Sequence, residues 1–180
     1  EYAFRFACFH NHIDIAKWLL ETKPDIDVSV YDDCIVRHIT KLGYFELLKW
    51  LYSVRPCVDL SIQNNICFHN ACVYNHLDIA KWLYEKNLNI NVSINDEVIF
   101  RNVCGYGYLN VAKWLLEIKP DINISARNEH AFRYACSNGN IETAKWLLET
   151  KPDINTDIDS EYTFQNICDN GYLNVAKWFL

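Results

Sequence analysis

The stretch N-E-H-A-F-R-Y-A-C-S-N-G-N-I-E-T-A-K-W-L-L-E-T-K-P, from Asn128 to Pro152, decides the fold. Phe132, Ala135 and Cys136 stand at i, i+3 and i+4, which brings them to one face of a short helix. Gly139 then interrupts, and glycine readily takes the left-handed conformation that closes a helix. A second apolar arc follows in Ile141, Ala144, Leu147 and Leu148, with Trp146 beside it. It is wide enough to pack on its own partner helix and on neighbouring units. Pro152 ends this second helix, and Lys151 before it suits the negative end of the helix dipole.

Moving outward, the same grammar recurs every 32 residues without a slip. Trp18, Trp50, Trp82, Trp114, Trp146 and Trp178 are all the tryptophans in the chain, and each is preceded by lysine, from Lys17 to Lys177. The helix-stop row is Asn11, Gly43, Asn75, Gly107, Gly139 and Gly171, only the two residue types that tolerate positive φ. Asp32, Asn64, Asp96, Asn128 and Ser160 precede the first helix of each unit and are read as N-caps, which accept hydrogen bonds from orphan helical N–H groups. Between the second helix and the next cap, stretches such as P-D-I-N-I-S-A-R (Pro120 to Arg127) alternate apolar and polar residues and read as an extended finger. Repeats of this kind define the architecture before any single element does.

These residues resemble the ankyrin repeat, whose helical half looks like A-A-x-x-G-H-L-E-V-V-K-L-L-L and whose finger begins G-A-D-V-N. The matching stretches are A-C-S-N-G-N-I-E-T-A-K-W-L-L (Ala135 to Leu148) and K-P-D-I-N (Lys151 to Asn155), and the resemblance covers the whole chain. The variant, with Trp for the first Leu, Lys-Pro for Gly-Ala and a period one residue shorter, is similar to the ankyrin arrays of giant DNA viruses of amoebae. The family's T-P-L-H is replaced by rows such as H-A-F-R (His130 to Arg133). The implied fold is an all-α solenoid with projecting finger loops, a single array over 1–180. Its units fall at about 1–32, 33–64, 65–96, 97–128, 129–160 and a shortened 161–180. The chain contains no Met and breaks off within a helical segment, so it is expected to be a piece of a longer protein.

The chain carries 17 basic and 23 acidic residues, a formal net charge of -6, so a nucleic-acid partner is not expected. No apolar run approaches the roughly 20 residues of a membrane span. Of the eight cysteines, Cys8, Cys72, Cys104, Cys136 and Cys168 occupy one row beside a small core position. Stacked helices lie roughly 8–10 Å apart, beyond the about 7 Å that a disulfide spans. These thiols are therefore expected to be free and buried, as in a reducing, cytoplasmic compartment. Cys67, His69, Cys72 and His76 have zinc-ligand chemistry but are not expected to converge on one tetrahedral point. The arginine row (Arg5, Arg37, Arg101, Arg133) follows an acid by four residues, and internal helical ion pairs such as Glu129 with Arg133 are expected. The Lys row reads as a solvated outer face and the Trp ladder as core or near-core packing.

The chain contains no catalytic constellation such as G-x-S-x-G, H-E-x-x-H or a phosphate-cradling loop, so no enzyme, metal or cofactor is expected. The resemblance implies a scaffold that binds a partner protein on a concave surface of fingers and first helices. An alternative makes it the substrate-recognising part of a longer adaptor, for example to a ubiquitin ligase. The partner contacts are expected at positions that vary from repeat to repeat, with Tyr31, Tyr74, Tyr106 and Arg127 the leading candidates because Tyr and Arg dominate interface hot spots.

Overall fold

The computed structural model describes residues 2–27, 34–55, 60, 62–86 and 89–180. Among these residues it contains twelve α-helices and no strand. They form two compact units, Glu1–Asn91 and Val92–Leu180. The first unit holds α1 (Tyr2–Phe9), α2 (Ile13–Thr22), α3 (Cys34–Leu42), α4 (Phe45–Val54), α5 (Ile62–Val73) and α6 (Leu77–Glu85). The second holds α7 (Val98–Gly105), α8 (Leu109–Ile118), α9 (Ala126–Ser137), α10 (Ile141–Thr150), α11 (Ser160–Asp169) and α12 (Leu173–Phe179). The architecture is the expected all-α repeat of helix pairs.

The first-helix core forms as the spacing predicts. Phe4, Ala7 and Cys8 are buried on α1, as are Val36, Ile39 and Thr40 on α3, and the triads repeat as Phe100, Val103, Cys104 and Phe132, Ala135, Cys136. The second helices contribute a buried leucine row, Leu51, Leu83, Leu115 and Leu147. Fully burying such a side chain contributes about 1.5–3 kcal/mol, so these rows, repeated unit after unit, dominate stability.

Helix punctuation also follows the sequence at the C-terminal ends. All six stop residues are left-handed, from Asn11 at φ 56° to Gly139 at φ 80°. Lys23, Lys119 and Lys151 precede proline in extended conformations, with φ −132°, −144° and −136°, where the pyrrolidine ring disfavours helix in the residue before it. The row His12, Tyr44, His76, Tyr108, Asn140, Tyr172 has a packing role that its sequence alternation does not reveal. The His76 ring lies over Gly43, Asn140 over Gly107 and Tyr172 over Gly139, so each covers the helix stop of the preceding repeat.

The N-terminal ends do not form as expected. Asp96 and Asn128 make no side-chain caps. They lie inside short left-handed turns, Asn95–Asp96–Glu97 with φ of 48°, 54° and 62°, and Arg127–Asn128–Glu129 with φ of 57° throughout. Ser160 is the first helical residue of α11, with left-handed Asp159 (φ 50°) before it and again no side-chain cap. Asp32 and the side chain of Asn64 lie outside the described residues. The connectors are likewise turns where described: Asn123 Oδ1 accepts from the Ser125 N–H at 3.2 Å, and Asn155 Oδ1 from the Asp157 N–H at 3.0 Å. A side chain that folds back onto the backbone two residues on offers an alternative to extended structure.

A left-handed non-glycine residue costs roughly 1–2 kcal/mol, and the arginine row offsets it. Arg101 Nε donates to Asp96 O at 2.7 Å and its Nη2 to Asn95 O at 3.2 Å. Arg133 does the same to Asn128 O and Arg127 O, at 2.8 and 3.4 Å. The expected ion pair of Glu129 with Arg133 is therefore not formed. Arg133 Nη1 instead reaches Asp159 at 3.0 Å, and the buried Glu97 and Glu129 accept weakly from the backbone N–H groups of Asn123 and Asn155 at 3.4 and 3.5 Å. At Arg101 and Arg133 the expected helical ion pair is replaced by bonds to carbonyl groups freed by the left-handed turn.

Candidate partner-binding face

On each first helix, the positions one turn apart and facing away from the core form a stripe at i, i+4 and i+8. On α9 the stripe is His130, Tyr134 and Asn138, and on α11 it is Tyr162, Asn166 and Asn170. Together with Arg133, Ser137 and Thr163 these side chains line a groove of about 290 Å³ between the two helices. Tyr162 is 64% exposed, while Thr163 at its root is buried with an Oγ1 that has no hydrogen-bond partner among the described residues. Tyr134 packs so closely over Gly105 that a Cβ there would overlap the ring. His130 and Tyr106 flank Tyr134, with ring centroids 5.3 and 5.9 Å away.

In the first unit the equivalent stripe on α1 is Tyr2, Phe6 and His10, and both Tyr2 and Phe6 are more than half exposed. Tyr2 and Phe6 stack at 6.4 Å, and the Arg5 guanidinium lies 4.6 Å from the Tyr2 ring centre. Phe9 stacks on His38 of α3, the first helix of the next repeat, at 4.1 Å.

Tyr74 and Tyr106 occupy one register at the C-terminal ends of their first helices and are 43% and 46% exposed, with Lys41 Nζ 5.0 Å from the Tyr74 ring centre. Arg127 stands at the other end of the face, before the α9 helix body, where its Nε pairs with Asp96 at 2.7 Å. Tyr31 lies outside the described residues. Asn138 and Asn170, in the same register as Tyr74 and Tyr106, are partly engaged in stitching repeats. Asn138 Nδ2 donates to Gly105 O at 2.9 Å, beside Asn140 Nδ2 at 2.7 Å, and Asn170 Nδ2 reaches Ser137 O at 3.4 Å. Tyr2, Phe6, His130, Tyr134 and Tyr162 were not singled out from sequence. The positions four and eight residues before the Tyr106 register in each repeat include all five of them.

Burial and, after it, arginine shape the electrostatics of this face. Burial, then Arg101, Arg133 and Arg127, hold the His130 imidazole below its ordinary range, so it is neutral near pH 7. Burial and Arg127 likewise lower Arg101.

The opposite, second-helix side is different. Lys49 pairs with Glu46 at 2.6 Å and Lys145 with Glu142 at 3.5 Å, the expected mixed-charge outer face. The tryptophans vary in burial: Trp114 is 8% exposed but Trp18 is 60% exposed, and the others are intermediate. Three of them pack laterally on the preceding repeat, Trp82 on Tyr52 at 5.4 Å, Trp146 on Phe100 at 6.4 Å and Trp178 on Phe132 at 6.3 Å.

Cys8, Cys72, Cys104 and Cys136 are buried, and desolvation raises all four thiols, Cys8 and Cys136 to about 12. Cys168 departs from the row by being exposed. Cys57 lies outside the described residues. Cys67 and Cys72 are buried while the His76 ring turns to Lys41 O at 2.9 Å. Among the described residues no group of three or more His, Cys, Asp or Glu is placed to hold a metal. No described helix is long and apolar enough to cross a membrane.

The family profile described as "Ankyrin repeats (3 copies)" matches residues 3–96 and 100–180. No curated protein matches the chain. With helix pairs, left-handed stops and a profile match over nearly all its length, the chain belongs to the ankyrin-repeat family, whose repeats generally mediate protein–protein interaction and are typically non-enzymatic.

Proposed function

We propose that this chain is a non-catalytic binding module that holds a partner protein against its first-helix face. One observation carries the reading: the exposed and half-buried outward positions of the first helices change from repeat to repeat while the framework does not. The outermost row runs Tyr2, Cys34, Ile66, Val98, His130, Tyr162, whereas the Lys-Trp row of the second helices is the same in all six repeats. Packing explains a constant row, and a surface tuned to one partner explains a varied one. Tyr74, Tyr106 and Arg127 are assigned as contacts, with Tyr134 and Tyr162 added from the groove and Tyr31 retained from the sequence.

In this reading the array over 1–180 is continuous. The net charge of -6 supports a protein over a nucleic acid. The free buried thiols support a reducing, cytoplasmic setting. The 32-residue Lys-Trp variant keeps its similarity to the arrays of giant DNA viruses of amoebae, a reading that rests on the sequence rows alone.

The test is a partner recovered with the full-length protein and titrated against a Tyr74→Ala/Tyr106→Ala variant of unchanged melting temperature. Affinity should fall at least about tenfold, the effect of one hot-spot loss. Retained affinity, lost instead on reversing the charges of Lys81 and Lys113, would move the site to the second-helix side.

A further inference from the structure

The second unit holds three arginines in all, Arg101, Arg127 and Arg133, and they converge around His130, while its lysines lie on or directly after the second helices. The repeat register shows what is unusual there. Arg133 meets Asp159, 26 residues on, at 3.0 Å. The two junctions are built alike, since Glu97 with Asn123 and Glu129 with Asn155 also pair across 26 residues. Twenty-six residues after Arg101, the same step places Arg127. A second arginine therefore stands where the next junction has a carboxylate.

The consequences are visible in the geometry. Arg127 swings to Asp96 at 2.7 Å with its side chain 64% exposed, against 18% for Arg133. Arg101 binds the carbonyl oxygens of Asp96 and Asn95, and no carboxylate among the described residues comes within ion-pair distance of it. Two guanidinium groups thus meet at Asp96, Arg127 on its carboxylate and Arg101 on its backbone carbonyl, in a chain whose net charge is negative. Burial first and then Arg127 lower Arg101 while Asp96 and Glu97 act against them, and burial followed by all three arginines lowers His130. Arg127 crowds Arg101, which has no carboxylate of its own in reach, and charge set across an interface steers and selects a partner of the opposite sign.

We propose that the junction of α7 and α9 is an acceptor for an acidic segment of a partner protein, an Asp or Glu side chain seating between Arg101 and Arg127 and completing the ion pair that the register leaves open. The inference rests on the first-helix face being the binding face and names the chemistry of what binds there. Guanidinium favours carboxylate through paired, parallel hydrogen bonds. Tyr106 and Tyr134 lie toward the other end of the same helices, where the rest of such a segment would run.

The test uses the whole chain and a hexaglutamate peptide, with hexaglutamine as the neutral control, read by NMR at the arginine Nε–H signals. Hexaglutamate should shift Arg101 and Arg127 and should bind less well as salt is added; hexaglutamine should do neither. Arg127→Asp should weaken hexaglutamate at least about tenfold and raise Tm by restoring the pair seen at Arg133 and Asp159. Arg127→Asn, about as tolerant of the left-handed conformation as Asp, should raise Tm less, separating charge from backbone strain. Equal binding by wild type and Arg127→Asp, equal binding of the two peptides, or equal Tm for the Asp and Asn variants would overturn the proposal. If hexaglutamate fails while a captured partner still needs Tyr74 and Tyr106, this inference falls and the binding-face reading stands.

Discussion

Arg133 Nε donates to the carbonyl oxygen of Asn128 at 2.8 Å, tying a left-handed turn to the helix that follows it. Removing that donor frees backbone carbonyls and relaxes a strained turn, so Arg133→Ala should lose about 1–3 kcal/mol in chemical denaturation. Arg133→Lys should recover little, because an ammonium lacks the fork that reaches two carbonyl groups and Asp159 together. A double-mutant cycle with Glu129 should give a coupling below about 0.3 kcal/mol, under that of an exposed helical pair. A larger coupling would restore the direct ion pair.

Gly139 and Gly171 separate two costs that are usually confounded. Both are left-handed, at φ 80° and 73°, but a Cβ on Gly139 would meet the Tyr172 ring at 2.8 Å while one on Gly171 would meet nothing within 4 Å. Gly171→Ala should cost about 1 kcal/mol from backbone strain alone. Gly139→Ala should cost more, and Tyr172→Ala in the same chain should return only the difference. Equal costs at the two positions would deny the ring its packing role.

The helix pairs, the Phe-Ala-Cys core faces and all six helix stops are legible in the sequence, because each depends on local chemistry at a fixed period. The turns at Asn95–Glu97 and Arg127–Glu129 are not. Asp96 and Asn128 suit an N-cap and a left-handed turn equally well, and the choice is made by Arg101 and Arg133 reaching back from within the helix. The acid-to-Arg spacing fits a helical ion pair only if the acid itself is helical, and Glu97 and Glu129 are left-handed. For the binding face, Tyr74 and Tyr106 are read from the varied row, but Tyr134 and Tyr162 need the helix orientation that burial of Phe132 and Ile167 supplies.

Stability should fall on both sides of neutrality for separate reasons. Burial lowers the imidazoles of His38, His69 and His130 from the ordinary 6.5, so the unfolded chain binds their protons more readily. That contribution is complete above pH 6.5 and is lost as pH falls through the depressed folded values. Thermal melts should show a declining Tm below pH 6.5, with a shallower slope in His130→Gln. An unchanged slope would remove His130 from the effect.

The raised thiols act at the other limb. Cys8 and Cys136 move from the ordinary 9.0 to about 12, so their contribution is complete below pH 9 and disappears as pH rises toward 12. At pH 8 the native protein should react with a thiol reagent at exposed Cys168 well before Cys8, Cys72, Cys104 and Cys136, which label only on unfolding. Rapid labelling of Cys104 in folded protein would contradict its burial.

Hydroxyl-radical footprinting reads both sides of the repeats at once, because exposed Tyr74, Tyr106 and Tyr162 lie on or at the ends of first helices and the tryptophans on the second. With a partner bound to the full-length protein, Tyr74, Tyr106 and Tyr162 should be protected from oxidation while Trp18, Trp50 and Trp146 oxidise as in the free chain. Protection of those tryptophans with the tyrosines left reactive would contradict the account, placing the partner on the second-helix side.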